Sequence, residues 1–145
     1  YLVQTGLHAD VFTRTTALHV HTKIDVSRMQ RAAKFALGEH DFQAFMSVGS
    51  TLTSTVRTIT KSEWTQDGAY LTYEVGANGF LYNMVRILVG TMLEIGGGKL
   101  PEDAIARALT SGQREDAGPT APPHGLFLQR VQYEDFDTDE VLKRL

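Results

Sequence analysis

Asn78 to Leu93, NGFLYNMVRILVGTML, is an apolar run of helix length with one charge inside it, Arg86. No other residue between Glu74 and Glu94 is charged at neutral pH. At about 100° per residue, Leu81, Met84, Val85, Leu88, Met92 and Ile95 share one broad face, and Tyr82, Val89 and Leu93 carry apolar character round toward Arg86. The spacing predicts a helix buried on most sides. A guanidinium carried into such a place stays protonated, at a cost of roughly several kcal/mol, unless a carboxylate or phosphate meets its planar fork. Either this chain supplies that partner or something outside it does.

Outward from this run, strands and helices alternate without repeats or low-complexity segments. Ala17 to Thr22 reads as a strand. Asp25 is a suitable N-cap for a helix to Leu37, with Val26, Met29, Ala33 and Leu37 on its core side and Gly38 placed to end it. Ser54 to Thr65 is rich in β-branched residues, and Tyr70 to Val75 alternates Leu71, Tyr73 and Val75 with polar Thr72 and Glu74. Gln66-Asp67-Gly68 between them reads as a hairpin turn. Gly96-Gly97-Gly98 terminates the apolar helix, Pro101 opens a short helix anchored by Ile105 and Leu109, and Leu126 to Tyr133 reads as a last strand. The expected class is α+β: an antiparallel or mixed sheet with helices packed on one face.

Composition sets the bounds. A chain of 145 residues, 42% of them hydrophobic, is one ordinary domain with enough apolar material for a core. Having no Cys, it forms no disulfide or thiolate metal site and fits a cytoplasmic protein. The long apolar run contains Arg, Asn and Gly, which disfavours a membrane span. The net charge of −3 argues weakly against a stand-alone RNA binder. Glu134 to Leu145 holds five acids and two bases, however, and the body without it carries 12 of each. Any RNA-facing charge is therefore local or supplied from elsewhere.

Four segments, in order, carry a resemblance. Gly38-Glu39-His40-Asp41-Phe42 with Phe45, Arg57-Thr58-Ile59, Phe80 to Arg86 followed by Val89-Gly90-Thr91 and Glu94-Ile95-Gly96, and Gly118-Pro119-Thr120-Ala121-Pro122 through His124-Gly125-Leu126-Phe127-Leu128 resemble GxHDFxxF, RTI, FLYxMVR…VGT…EVG and GPTAPxxGLYL. These are signatures of the tRNA pseudouridine synthase A (TruA) family. The family's nucleophilic aspartate lies in a GRTDxGVHA segment, which His8-Ala9-Asp10 does not match. Tyr1-Leu2-Val3 resembles the end of the family's YRY strand. The resemblance thus implies that residues 1–145 form a single domain, the C-terminal half of a synthase, with the N-terminal half and its catalytic Asp lying outside it. The first tyrosine of YRY, which is expected to stack on the target base, is expected upstream of this chain, although Tyr1 can correspond to either.

The residues themselves leave two readings of Arg86. Without the resemblance it belongs to a structural ion pair with Glu94 or Glu74, although Glu94, eight residues on and roughly 80° round the helix, is poorly placed. With the resemblance, Arg86 pairs with the catalytic aspartate and keeps it ionised, since an opposite charge nearby lowers a carboxyl pKa by roughly 1–3 units. Leu126 then lies against a flipped uracil, with the loop from Ala121 through His124 and Gly125 walling the pocket. The implied activity is isomerisation of uridine to pseudouridine in the tRNA anticodon stem-loop by a homodimer, with one tRNA reaching across both subunits and no cofactor or metal. The alternative is a non-catalytic RNA-binding or protein-interaction domain of the same fold.

Other features carry less. Gly96-Gly97-Gly98-Lys99 lacks the spacing of a phosphate-binding loop and reads as a helix terminator. His19 and His21 share a strand face without further ligands, so no metal site is expected there. His40 beside Asp41 reads as a loop-ordering hydrogen bond, and Glu115-Asp116 as solvated surface.

Overall fold

The computed structural model describes residues 1–49 and 52–145. Its main sheet has the order β2-β1-β5-β4-β3, built from β1 (Leu2–Thr5), β2 (Leu18–Val20), β3 (Gly38–Asp41), β4 (Val56–Asp67) and β5 (Tyr70–Ala77). All neighbours are antiparallel except β1 and β2, so the sheet is mixed. The helices α1 (Val26–Lys34), α2 (Met84–Gly96) and α3 (Ala104–Ser111) complete the α+β architecture. No helix among the described residues is long and apolar enough to cross a membrane.

The β4–β5 hairpin turns at Gly68 and Ala69 instead of over Gln66-Asp67-Gly68, with Gln66 and Asp67 still in the ladder. Gly68 has φ +58°, which the first central position of a two-residue hairpin turn requires. A register slip between Ile59 and Lys61 keeps Ile59, Ser62 and Trp64 all turned into the core. Trp64 stacks at 5.1 Å on Tyr73, the residue paired with it across the hairpin, and its indole N–H points at the Met92 sulfur, 3.1 Å away on α2. The Tyr73 hydroxyl lies 2.7 Å from Ser62 Oγ, which donates to the Ala33 carbonyl of α1. Burial pushes the Tyr73 phenol well above its ordinary pKa, so this polar chain through the core remains protonated.

Helix α1 starts as its sequence dictates, with the Asp25 carboxylate accepting from Arg28 N. It stops earlier, at Lys34, and the helical period no longer applies beyond that point. Leu37 is consequently 40% exposed, while Ala36 fills the core instead. Where α1 begins, it crosses the end of α2: a Cβ on Gly96 would stand 2.6 Å from Ile24 and 2.7 Å from the Met29 sulfur. Arg28 donates to the Ile95 carbonyl in the last turn of α2 and to the Leu100 carbonyl beyond it, placing a cation at the C-terminal end of the helix.

The segment read as a final strand departs from expectation. Only Gln132–Tyr133 (β6) pairs, and its partner is Phe136–Asp137 (β7) in a separate two-stranded sheet followed by α4 (Thr138–Lys143). The reason lies just upstream. Gly125 lies so close to Tyr1 and Leu2 that a Cβ there would be 2.8 Å from the Leu2 carbonyl oxygen. The chain is carried across β1 instead of alongside a strand, leaving Leu126 40%, Phe127 56% and Leu128 81% exposed.

Candidate functional site

Arg86 sits in the first turn of α2, where two polar anchors fix its side chain. Its Nε donates to the Ala121 carbonyl at 2.7 Å and one terminal nitrogen donates to Asn83 Oδ1 at 3.0 Å. A guanidinium has five N–H groups, so three are left without a protein partner among the described residues. The ion-pair partners suggested by the sequence are engaged elsewhere, Glu94 with Lys99 at 3.7 Å and Glu74 with Lys61. No carboxylate of the described residues forms a salt bridge with Arg86.

The Ala121 carbonyl is held in place by a loop laid along α2. Gly90 permits it: a Cβ at that position would stand 1.7 Å from the Pro119 carbonyl oxygen, an impossible contact with backbone. One turn of loop and helix is then stitched together. Gly118 N donates to Thr91 Oγ1 at 2.8 Å, Thr91 Oγ1 donates to the Ile87 carbonyl at 2.7 Å, and Ala121 N donates to the Arg86 carbonyl at 2.9 Å. Arg114 braces the outer side through the Gly118 carbonyl and Thr120 Oγ1. The VGT and GPTA segments are thus two halves of one contact.

Arg86, Tyr1 and Leu126 line the same cleft, about 810 Å³ in volume, which opens between the end of β5, the start of α2 and the segment after Gly125. Tyr1 is buried, its ring against Gly125 and its hydroxyl donating to the Pro122 carbonyl at 2.5 Å. Burial pushes its phenol up to about 12, against a smaller opposing pull from the Arg86 charge. His124 is exposed on the short helical turn Pro123–Gly125 and is not among the cleft-lining residues. Lys61 and Glu74, an ion pair on the cleft wall, supply charge of both signs.

Asn83 is a site residue that the sequence reading passed over. It stands at the unspecified position of FLYxMVR, and nothing in the apolar pattern signals that its amide would face Arg86. Its one sequence-level cue is that Asn tolerates the left-handed backbone better than most side chains. Elsewhere, His40 Nε2 lies 2.7 Å from the Leu37 carbonyl and Asp41 accepts from Gln43 N and Thr55 Oγ1, so this pair orders the turn around it. His19 contacts the Gly6 carbonyl at 2.7 Å. Among the described residues, no group of three or more potential His, Cys, Asp or Glu ligands is arranged to hold a metal.

The family model described as tRNA pseudouridine synthase matches residues 32–134. The chain is 47% identical over 130 residues to tRNA pseudouridine synthase A of Halalkalibacterium halodurans, covering 90% of this chain and 49% of that protein. It is 44% identical to the enzyme of the same name from Bacillus pumilus, with 93% of this chain and 55% of the relative aligned. For that of Acetivibrio thermocellus the identity is also 44%, with 92% and 54% aligned. The chain therefore spans about half the length of the curated relatives it matches. The matched residues include α2 with Arg86, the loop docked on it and the β4–β5 hairpin behind them, and on that match the chain belongs to the tRNA pseudouridine synthase family.

Proposed function

We propose that this domain is the C-terminal half of a synthase that isomerises uridine to pseudouridine in the anticodon stem-loop of tRNA. The observation that carries this reading is Arg86: a half-buried guanidinium lining a cleft, held by two neutral acceptors, with three donors unfilled among the described residues. Such a group is ready for a carboxylate from outside this domain. An aspartate of the N-terminal half fills that role in this proposal.

The chemistry breaks the C1′–N1 bond, turns the detached uracil and forms a C1′–C5 bond. N1 gains a proton and C5 loses its hydrogen to solvent. The product is an isomer, so no electrons are exchanged and no cofactor is consumed. Arg86 holds the acting carboxylate ionised and aligned. Leu126 provides an apolar wall for a neutral base that has left its stack, an unpairing that costs roughly a few kcal/mol, while the loop from Ala121 through Gly125 holds Arg86 and Tyr1 through its Ala121 and Pro122 carbonyls. Tyr1, with its ring buried and its hydroxyl bonded, fits the second tyrosine of the YRY pattern better than a residue free to stack. The assembled enzyme acts in the cytoplasm as a homodimer with tRNA across both subunits.

The test is tritium release from tRNA labelled at uridine C5, using the synthase that contains this domain and its Arg86→Lys form. Release by the parent protein, with a loss in the variant of at least about 100-fold, is expected because an ammonium cannot offer two parallel donors. Full activity in the variant would sink the assignment of Arg86.

A further inference from the structure

We propose that Asn83 is a positioning residue that aims Arg86 at its external carboxylate, with Ser47 fixing the Asn83 amide in turn. Among the described residues Asn83 is the one non-glycine at positive φ, 61°. It occupies the N-cap of α2, where an Asn side chain ordinarily accepts from the helix's own N–H groups, yet it makes no such bond. Helix stability accounts for neither feature. Both place the amide between two partners: Oδ1 accepts from Arg86 at 3.0 Å and Nδ2 donates to Ser47 Oγ at 2.9 Å.

The polarity of that arrangement is determined. Turned over, the amide would set its NH₂ against the guanidinium, donor against donor. Ser47 is itself held, because its backbone N–H donates to the Tyr82 carbonyl at 3.1 Å. The path Tyr82–Ser47–Asn83–Arg86 therefore ties the rotamer of the guanidinium to the backbone at the start of α2. Together with the Ala121 carbonyl it holds Nε and one terminal nitrogen and leaves the other terminal nitrogen of this cleft-lining residue without a partner among the described residues. An amide suits this task where a carboxylate would not. It orients the cation without neutralising it, so the charge remains available to an incoming Asp.

This inference rests on the proposed pairing of Arg86 with a carboxylate from the other half, and its test separates the two. In the synthase, Asn83→Gly keeps the left-handed backbone without strain and removes only the amide, while Asn83→Asp keeps the shape and adds a competing charge. We expect kcat to fall about tenfold in N83G and about 100-fold or more in N83D, with KM for tRNA changed less than about twofold. The acid limb of the kcat profile moves to higher pH in both, because a carboxylate that loses its cation is harder to ionise. A purely structural Asn83 would leave N83G with parent kcat and an unmoved limb, and that result overturns the proposal.

A second readout needs no activity. In the ¹⁵N-labelled 145-residue chain, the Arg86 guanidinium signal, assigned by its loss in Arg86→Lys, reports rotation about the Cζ–Nη bonds. Faster rotation in N83G supports the positioning role, and unchanged rotation defeats it. A parent synthase that makes no pseudouridine would sink the functional reading alone, leaving this measurement to decide for or against Asn83.

Discussion

Arg86 and Tyr1 share a wall of the cleft, where burial and the Arg86 charge pull the Tyr1 phenol in opposite directions. The phenol is raised from an ordinary 10 to about 12, chiefly because burial disfavours the phenolate. A raised pKa means that the folded state binds the proton more tightly than the unfolded chain does. The associated stability is fully present below pH 10 and is lost as the pH rises through about 12. Tyr1→Phe should therefore flatten part of the fall in stability between those values, measured by urea unfolding at stepped pH. The same variant should be modestly less stable at neutral pH, by about 1 kcal/mol, because the Pro122 carbonyl loses its donor. An unaltered alkaline slope would show that the Tyr1 ring is not desolvated in solution. Tyr73, whose phenol is raised by burial and hydrogen-bonded to Ser62, contributes to that slope in both proteins and cancels in the comparison.

The contact between the 118–121 loop and α2 behaves as one element, because a single close approach makes all of its hydrogen bonds possible. Gly90→Ala should push Pro119 away and release the Gly118–Thr91 and Ala121–Arg86 bonds, costing about 2–4 kcal/mol and lowering Tm by about 10 °C. Thr91→Val tests the same contact with almost no change of shape. It leaves the Gly118 N–H without an acceptor, which costs about 1–3 kcal/mol. If both variants melt like the parent, the loop is not docked in solution. These contacts also explain what the sequence could and could not reveal. The body of α2 was legible because its apolar residues repeat with the helical period, and the N-cap of α1 because Asp25 caps through its own side chain. The start of α2 was not: the apolar run continues through Phe80 and Tyr82, yet Asn83 turns left-handed and leaves both exposed. The Ala121 carbonyl, nearest partner of Arg86, is a backbone group and has no signature in composition. The alternation after Leu126 resembles a strand, but local pattern says nothing about the steric route that Gly125 opens over β1. Arg86 itself stood out because a lone charge in an apolar helix demands an explanation that packing alone does not give.

At the scale of the whole molecule, the cleft offers, among the described residues, one cationic side chain without a carboxylate partner, since Lys61 and Arg130 are both paired with acids. The body without Glu134–Leu145 is electrically neutral by count, and the terminal segment adds a net negative charge. Part of that segment is folded back near the site: Arg130 is engaged by Asp137 and Asp139, and Arg130 and Asp139 both line the cleft. Phosphate contact releases counterions only where lysines and arginines are free to approach the backbone, so such a surface should hold RNA poorly. The 145-residue chain alone should accordingly bind tRNA weakly, lose that binding between about 50 and 200 mM salt, and release no tritium from labelled tRNA. On the proposed function, supplying the N-terminal half of the synthase in trans should restore release, because in that reading an incoming carboxylate meets Arg86 and the incoming surface adds positive charge. Asp137→Asn with Asp139→Asn should tighten RNA binding by the isolated chain and steepen its salt dependence, since Arg130 is then available to a phosphate. Tritium release by the chain alone would overturn the assignment of the nucleophile to the other half. It would direct attention to Asp10, Asp41 and Asp116, of which Asp10 accepts from the Tyr70 hydroxyl at 2.6 Å and has its pKa lowered by that bond.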